Sequence, residues 1–522
     1  MSKKASLSEP VLTPGLRRYL YFTATFTGAA IMVIEILGAK ILSPYVGTSH
    51  FVWTAQIAVT LVALAVGYYA GGRMADASAQ LSRLYLCITI AAVYLALSIG
   101  VIEPLAYWCL GFKLAVGSLL ASALLYFIPL GLLATTGPYL VRALTSDVQT
   151  VGGNAGRLTA VSTLGSFAGT VLIGYVLLPL LPNSVSMLGT SALLLLLAIT
   201  YHLIWGRNTQ GAVALVVATA IAATFGLAGV RLVEASSHNG LVEVYRANSN
   251  FGLLQVIQDR DGHRRSFLND YLTQNTYDSQ TRQSRSLFTF MLHNLAAAYT
   301  PKIESVLCIG LGIGIVPMQF ARDGAQVDVV EINPAVPPVA ARYFDFDPSK
   351  VNVEIEDGRS FLNRSAASKY DAVILDAFIG DASPAHLMSR EACAAIRKVL
   401  KPQGVLVINC FGDFDSGRDF LTASLDLTLK AVFPSVRIHA SGNGNVFFVA
   451  GVSENLAVVH PPSFSGVPDF IRPSAQEAFN SARVTNPAHG RILTDDFNPT
   501  EFYDSNNREE WRRSMALSMK QR

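Results

Sequence analysis

Charge is scarce in this sequence: only 15% of its 522 residues are Asp, Glu, Lys or Arg, where a soluble globular chain carries about a quarter. The shortage is confined to residues 19–232; residues 233–522 have an ordinary composition. That excludes a chain that is soluble throughout. A length of 522 residues by itself suggests two to four domains. The composition break instead predicts one membrane domain followed by a soluble region. A strong net charge is also missing; the balance of +3 gives no field that would draw nucleic acid. Cysteine is sparse as well. Cys87, Cys109, Cys308, Cys393 and Cys410 are scattered, odd in number and form no CxxC pair, which excludes a disulfide framework and a structural zinc site. No metal is expected.

What the first half has is length of apolar sequence. A bilayer core needs about 20 apolar residues in helix. Seven such stretches lie near 20–43, 51–71, 84–105, 114–136, 158–181, 184–205 and 211–231. Lys3, Lys4, Arg17 and Arg18 precede the first, with no cleavage-like site after it, so the expectation is a first transmembrane helix and not a signal peptide. Basic residues fall in alternate loops, at Arg73 and Arg83, Arg142 and Arg157, and Arg207. The positive-inside rule then predicts a cytoplasmic N-terminus, and seven spans carry the C-terminal region outside. The run 108–141, with Lys113, Pro129 and Gly137-Pro138, has room for a re-entrant segment or an extra span. Glu35 lies inside the first stretch. An acid at membrane depth is costly and faces a partner or cavity, which makes it a candidate for a cation or amine path as much as for a helix-to-helix hydrogen bond. Gly67, Gly71 and Gly72, and Gly165, Gly169 and Gly174, predict close helix packing.

From residue 240 short alternating strands predict a β-rich module over 233–283, with Leu241–Tyr245, Gly252–Gln258 and Arg265–Leu268 as strands. A helix follows near 284–299. Strands at 305–309, 326–331, 351–355, 371–375 and 404–409 then alternate with helices at 314–323, 334–343, 359–364 and 389–400. This spacing predicts a parallel sheet with helices on both faces. The expected architecture is an N-terminal polytopic α-helical membrane domain over 1–232, the β-rich module, and an α/β Rossmann-like, class I methyltransferase-like domain over 284–522.

The first of these strands runs into Gly310-Leu311-Gly312-Ile313-Gly314. Glycines there permit a tight turn and close approach of a ligand at a helix N-terminus. The second strand ends in Glu331, placed to accept hydrogen bonds from the two hydroxyls of a ribose. Glu356-Asp357-Gly358 follows the third strand, and an acid there can accept from an adenine amino group. The fourth strand ends at Asp376, whose carboxylate points into the same crevice and can orient and deprotonate an amine nucleophile.

These residues carry a resemblance. Residues 240–412 resemble the spermidine synthase family of aminopropyltransferases through Phe267-Leu268-Asn269-Asp270 with Gln274, Val306–Gly314, Val329–Pro334, Glu356–Phe361, Tyr370–Asp376 and Leu400–Leu406. With its N-terminal spans and Leu493–Glu501, the chain is similar to the membrane-fused branch of that family. The resemblance implies an S-adenosyl-type donor, S-adenosylmethionine or its decarboxylated form, as co-substrate and a polyamine as acceptor, with a thioether nucleoside such as methylthioadenosine released. It implies that Gly310, Gly312, Gly314, Glu331, Ile332, Asp357, Gly358 and Gln274 hold the donor, Asp376 holds and deprotonates the amine, and Asp381 contributes to the acceptor site. A lipid bilayer and a homo-oligomer are the other partners this reading allows. Because such donors are made in the cytosol, it implies an inner-membrane protein with its C-terminal domain on the cytoplasmic side, against the count of seven spans.

The sequence departs from the family at the acceptor side. Ile313 stands where aminopropyltransferases carry the loop acid that binds the donor's amine, Asp278–Ser284 replaces the usual stretch after Gln274, and the second acid of the loop after Asp376 is displaced to Asp381. Asp495, Asp496 and Glu501 are read as solvated acids. Cys308 occupies the place where ordinary methyltransferases carry an acid, which counts against plain methyl transfer. Two further readings stay open: a lyase or cyclase acting on the same donor without an acceptor, and a nucleoside-binding sensor or transporter, since seven helices exceed what an anchor needs.

Overall fold

The computed structural model describes residues 12–47, 50–78, 80–145, 148–206, 209–235, 241–378, 384–503, 507, 510, 512 and 513. The chain forms two compact units, Met1–Ser237 and His238–Arg522.

Among the described residues the first unit has seven helices long and apolar enough to cross a membrane: Pro14–Val46, Val52–Ala77, Leu81–Ile99, Leu114–Leu144, Val151–Leu180, Asn183–Ile204 and Gly211–Val233. The first begins at Pro14, where the missing N–H costs nothing, and the Thr13 side chain accepts from Leu16 N at 3.3 Å. Ile102–Cys109 is a separate helix of eight residues, too short to cross. The run 114–144 is one segment with a π-helical turn at Ala123–Phe127 ahead of Pro129, so it supplies no extra span. Small residues let helices touch at the backbone. A Cβ on Gly28 would overlap the carbonyl of Ser162, one on Gly165 that of Thr25, and one on Gly169 that of Ala29. Gly67 and Gly71 sit likewise against Gly131 and Thr135. Gly72 and Gly174 do not share this role, for a Cβ there would meet nothing within 4 Å.

The second unit begins with an antiparallel sheet in sequence order: β1 (Leu241–Ser249), β2 (Gly252–Asp259), β3 (Arg264–Asn269), β4 (Leu272–Asp278) and β5 (Gln283–Ser284). The β3–β4 turn places Asp270 and Tyr271 at φ 48° and 61°, and two successive positive φ values match the twist of a tight hairpin. Side-chain bonds tie this sheet to the rest of the unit, among them Arg265 to the Tyr343 carbonyl at 2.9 Å. Tyr277 Oη donates to Asp345 at 2.7 Å and Asn333 Nδ2 to Ser249 Oγ at 3.0 Å.

The larger sheet has seven strands: β6 (Ser305–Ile309), β7 (Gln326–Glu331), β8 (Asn352–Ile355), β9 (Tyr370–Leu375), β10 (Leu400–Gly412), β11 (Ser435–His439) and β12 (Gly444–Gly451). Their order is β11-β12-β10-β9-β6-β7-β8, with β12 antiparallel to both its neighbours and the remaining pairs parallel. This is a Rossmann-like, methyltransferase-type sheet. Successive residues go to opposite faces: Val306, Cys308, Ile374 and Val407 face the helix Leu287–Tyr299, while Leu307, Ile309, Leu375 and Ile408 join a second core with Phe361, Ile396 and Leu425. Burial on both faces explains why β6, β9 and β10 read as apolar runs. The chain leaves β6 toward β7 on one side, and β9 returns on the other. A crevice therefore opens at the carboxyl ends of β6 and β9, where ligands settle in such sheets.

Candidate active site

The turn out of β6 needs its glycines. Gly310, Gly312 and Gly314 have φ of 96°, 55° and 83°, values costly for a side chain. Gly310 donates to Val330 O at 2.8 Å, and a Cβ on it would overlap the carbonyl of Asp376. The loop is thus pressed against the exit of β9. Glu331, at the end of β7, is 8% exposed; it accepts from Leu311 N at 3.0 Å and from Asn333 N at 2.8 Å. Burial raises its carboxyl above the usual range, against the pull of backbone N–H groups at Asn333, Leu311 and Ile332. It therefore anchors the glycine loop while keeping acceptor capacity on the pocket it lines.

Asp357 caps the helix Gly358–Arg364, accepting from Arg359 N and Ser360 N at 3.0 Å each, and its other oxygen meets His386 Nε2 at 2.9 Å. Partial burial pushes its carboxyl up, but the Ser360 N–H, His386 and the Arg359 N–H outweigh this and leave it below the usual carboxylate value. A Cβ on Gly358 would come 2.7 Å from Ile309 Cγ2, so only glycine lets this helix start close to β6.

Asp376 follows β9, its N–H bonded to Ile309 O at 3.0 Å. Asn409 Nδ2 donates to Asp376 Oδ1 at 2.8 Å, and Asn445 Nδ2 donates to Asn409 Oδ1 at 2.9 Å. Burial pushes the Asp376 carboxyl up to about 6, with the Asn409 bond opposing. A carboxylate held near neutral is suited to accept a proton in turnover. Burial, and then the nearby Asp376 charge, push the Cys308 thiol upward, which disqualifies it as a thiolate nucleophile.

One pocket brings together Gly310, Gly312, Glu331, Ile332, Asp357, Gly358, Asp376 and, from the small sheet, Gln274. Gly314 is not among its walls. It starts the helix Ile315–Arg322, and a Cβ there would overlap the Phe346 ring, so its role is in packing. Ile313 is buried in the core beside Val316 and Phe320, which explains why an apolar residue fits there. Asp381 lies outside the described residues. Asp495 is not a free solvated acid: it pairs with Arg359 at 2.9 Å and bonds Ser389.

Other wall residues carry no sequence motif. Asn409 and Asn445 sit on β10 and β12, His386 sits after the Asp376 loop, and the Phe378 and Phe411 rings meet tilted at 57°, with 5.4 Å between centroids. A strand-borne amide looks like any other polar strand residue until the fold aims it. Arg512 and Asn507 also reach this pocket.

Residues 286–437 match the spermine/spermidine synthase domain. The chain is 40% identical over 136 residues to a polyamine aminopropyltransferase of Vibrio vulnificus, which covers 25% of this chain and 46% of that protein. It is 36% identical over 139 residues to an N-terminal histidine N-methyltransferase of Emericella nidulans, covering 26% of this chain and 24% of that one. The structure of a probable spermidine synthase from Corynebacterium glutamicum overlaps 52% of this chain and 93% of its own, at 16% identity and a TM-score of 0.38. The chain spans less than half the length of these curated relatives. Its C-terminal region contains a spermine/spermidine synthase domain.

Proposed function

We propose that the protein is a membrane-bound transferase that moves an aminopropyl-like group from an S-adenosyl-type sulfonium to an amine and releases a thioether nucleoside. The observation that carries this reading is the placement of Asp376. It faces the pocket that the glycine loop, Glu331 and Asp357 also line, and is held by Asn409 at 2.8 Å. Glu331 and Asp357 would receive the ribose and adenine of S-adenosylmethionine or its decarboxylated form. Asp376 takes a proton from the bound amine, the freed nitrogen lone pair attacks the methylene carbon bonded to sulfur, and the carbon–sulfur bond breaks with its electron pair going to sulfur. A sulfonium is already an activated leaving group, so alignment and one base suffice.

The membrane reading is supported by what the helical unit turns outward. Phe167 is 68% exposed, Tyr175 82% and Leu203 81%, a surface suited to lipid and costly in water. On this reading the seven helices span the inner membrane. The C-terminal unit faces the cytosol, where the donor is made, and the odd number of spans then puts the N-terminus opposite, against the positive-inside expectation from Lys3, Lys4, Arg17 and Arg18. A C-terminal reporter active only in the periplasm overturns that orientation.

The test of activity is incubation of the purified full chain with either donor, with and without putrescine, and identification of products by mass spectrometry. Methylthioadenosine formed only with the amine is the expected result. Methylthioadenosine formed without it would make the protein a lyase or cyclase, a reading favoured by the acceptor side of the pocket, where Asp376 is joined by Asn409, Asn445, Phe378 and Phe411. Binding with no turnover would leave a sensor or transporter.

A further inference from the structure

The first unit holds polar groups that the proposed reaction does not use. Gln56 is fully buried, and neither Oε1 nor Nε2 has a hydrogen-bond partner. Tyr126 is 1% exposed and its hydroxyl is likewise unpartnered. The two side chains meet at one point: a Cβ on Gly38 would lie 2.9 Å from Gln56 Nε2 and 2.9 Å from Tyr126 Cε2. Glu35 is one turn before Gly38 on the same helix, and Thr60 lies near its carboxyl. Thr60 is one turn after Gln56 and donates to the Gln56 carbonyl at 2.9 Å. Lys40, five residues past Glu35, makes no ion pair with it among the described residues. Tyr126 belongs to the π-helical turn Ala123–Phe127, a distortion often found at functional sites.

A buried amide with both ends unpaired is expensive, and an acid among apolar helices is expensive too. Placing both beside a distorted turn makes sense if they share a ligand. We propose that Glu35, Gln56, Thr60 and Tyr126 form a binding site for a protonated primary amine inside the helical unit. One carboxylate balances one positive charge. An ammonium has three N–H donors, and Glu35, Gln56 Oε1 and the Tyr126 or Thr60 oxygen are acceptors for them. A divalent cation needs more carboxylates, and no group of three or more His, Cys, Asp or Glu capable of holding a metal occurs among the described residues. Glu35 repels an anion. The site is separate from the pocket of the second unit, so its ligand need not be the acceptor in turnover.

The experiment is equilibrium binding of labelled butylamine to the full chain in nanodiscs, carried out in the Asp376→Asn background to silence the amine site proposed in the second unit. One saturable site per chain is expected, with affinity at least tenfold weaker in Glu35→Gln. Gln56→Leu should weaken binding to a similar extent while raising Tm, because an apolar side chain of similar shape removes the unpaired amide. A merely structural amide would not combine lost binding with gained stability. The absence of saturable binding, or unchanged affinity in Glu35→Gln, overturns the proposal; so does sodium competing at equal affinity with the same dependence on Glu35, which would make this an alkali-cation site. The membrane reading fails separately, through release of the chain from membranes by alkaline carbonate.

Discussion

Asn409 Nδ2 donates to Asp376 Oδ1 at 2.8 Å, and Asn445 holds Asn409 from behind at 2.9 Å. This bond stabilises the charged carboxylate, so it opposes the burial that pushes Asp376 up to about 6. In Asn409→Leu burial acts alone. The acid limb of the kcat/KM profile should move up by roughly one unit, with a fall in activity at pH 7 that recovers at pH 8.5. An unchanged profile would show that Asp376 is not the base.

Asp376 also makes a stability prediction. Its folded value lies above its unfolded one. Below the usual carboxylate value both states are protonated and there is no penalty. As pH rises toward 6 the folded state holds a proton that the unfolded state has lost, so stability falls across that window and the penalty is full above it. A gap of about two units corresponds to at most roughly 3 kcal/mol, reduced by water in the pocket that Asp376 lines. Asp376→Asn should therefore raise the Tm of the second unit at pH 8 and leave it unchanged at pH 4, while turnover falls by about 100-fold or more and nucleoside affinity stays. Destabilisation at pH 8 would contradict the burial argument.

Much of this was legible in the sequence because apolar runs and periodicity report burial directly. Val306–Ile309 and Ala372–Leu375 read as strands and lie in β6 and β9, since a strand buried on both faces must be apolar throughout. The helix ranges 14–46 and 183–204 enclose or nearly match the apolar stretches at 20–43 and 184–205. What stayed hidden has polar chemistry and depends on the tertiary fold. β4, with Thr273, Gln274 and Asn275, carries too little apolar pattern to announce itself. Asn409 and Asn445 gain meaning only when β10 and β12 pair. Asp495 looked solvated because Arg359, its partner, is 136 residues away. Gly72 and Gly174 share the spacing of packing glycines but lie on faces that nothing approaches.

Glu331 and Asp376 should separate in binding. Glu331→Gln puts an amide NH2 where a carboxylate oxygen accepts from Leu311 N or Asn333 N, so one N–H loses its partner and the glycine loop loosens. Affinity for methylthioadenosine, measured by calorimetry, should drop at least tenfold, and the second unit should lose about 1–3 kcal/mol of stability. If Asp376→Asn loses affinity to the same degree, the division between a nucleoside end and a reacting end is wrong.

Gly312 and Gly314 should separate as well, although they stand two residues apart. Both have positive φ, 55° and 83°, so alanine at either carries a strain of about 1 kcal/mol. Their surroundings differ. At Gly314 a Cβ would overlap the Phe346 ring, whereas at Gly312 it would meet nothing within 4 Å and would project into the wall of the pocket. Gly314→Ala should therefore lower Tm well beyond the cost of strain, with nucleoside affinity of the folded protein nearly unchanged, and Phe346→Leu should relieve part of the loss. Gly312→Ala should cost little stability but weaken nucleoside binding about tenfold or more, because the backbone can no longer approach the ligand. Thermal unfolding and calorimetry on the two variants decide this, and a Gly312→Ala protein that binds as tightly as the parent would place the nucleoside elsewhere.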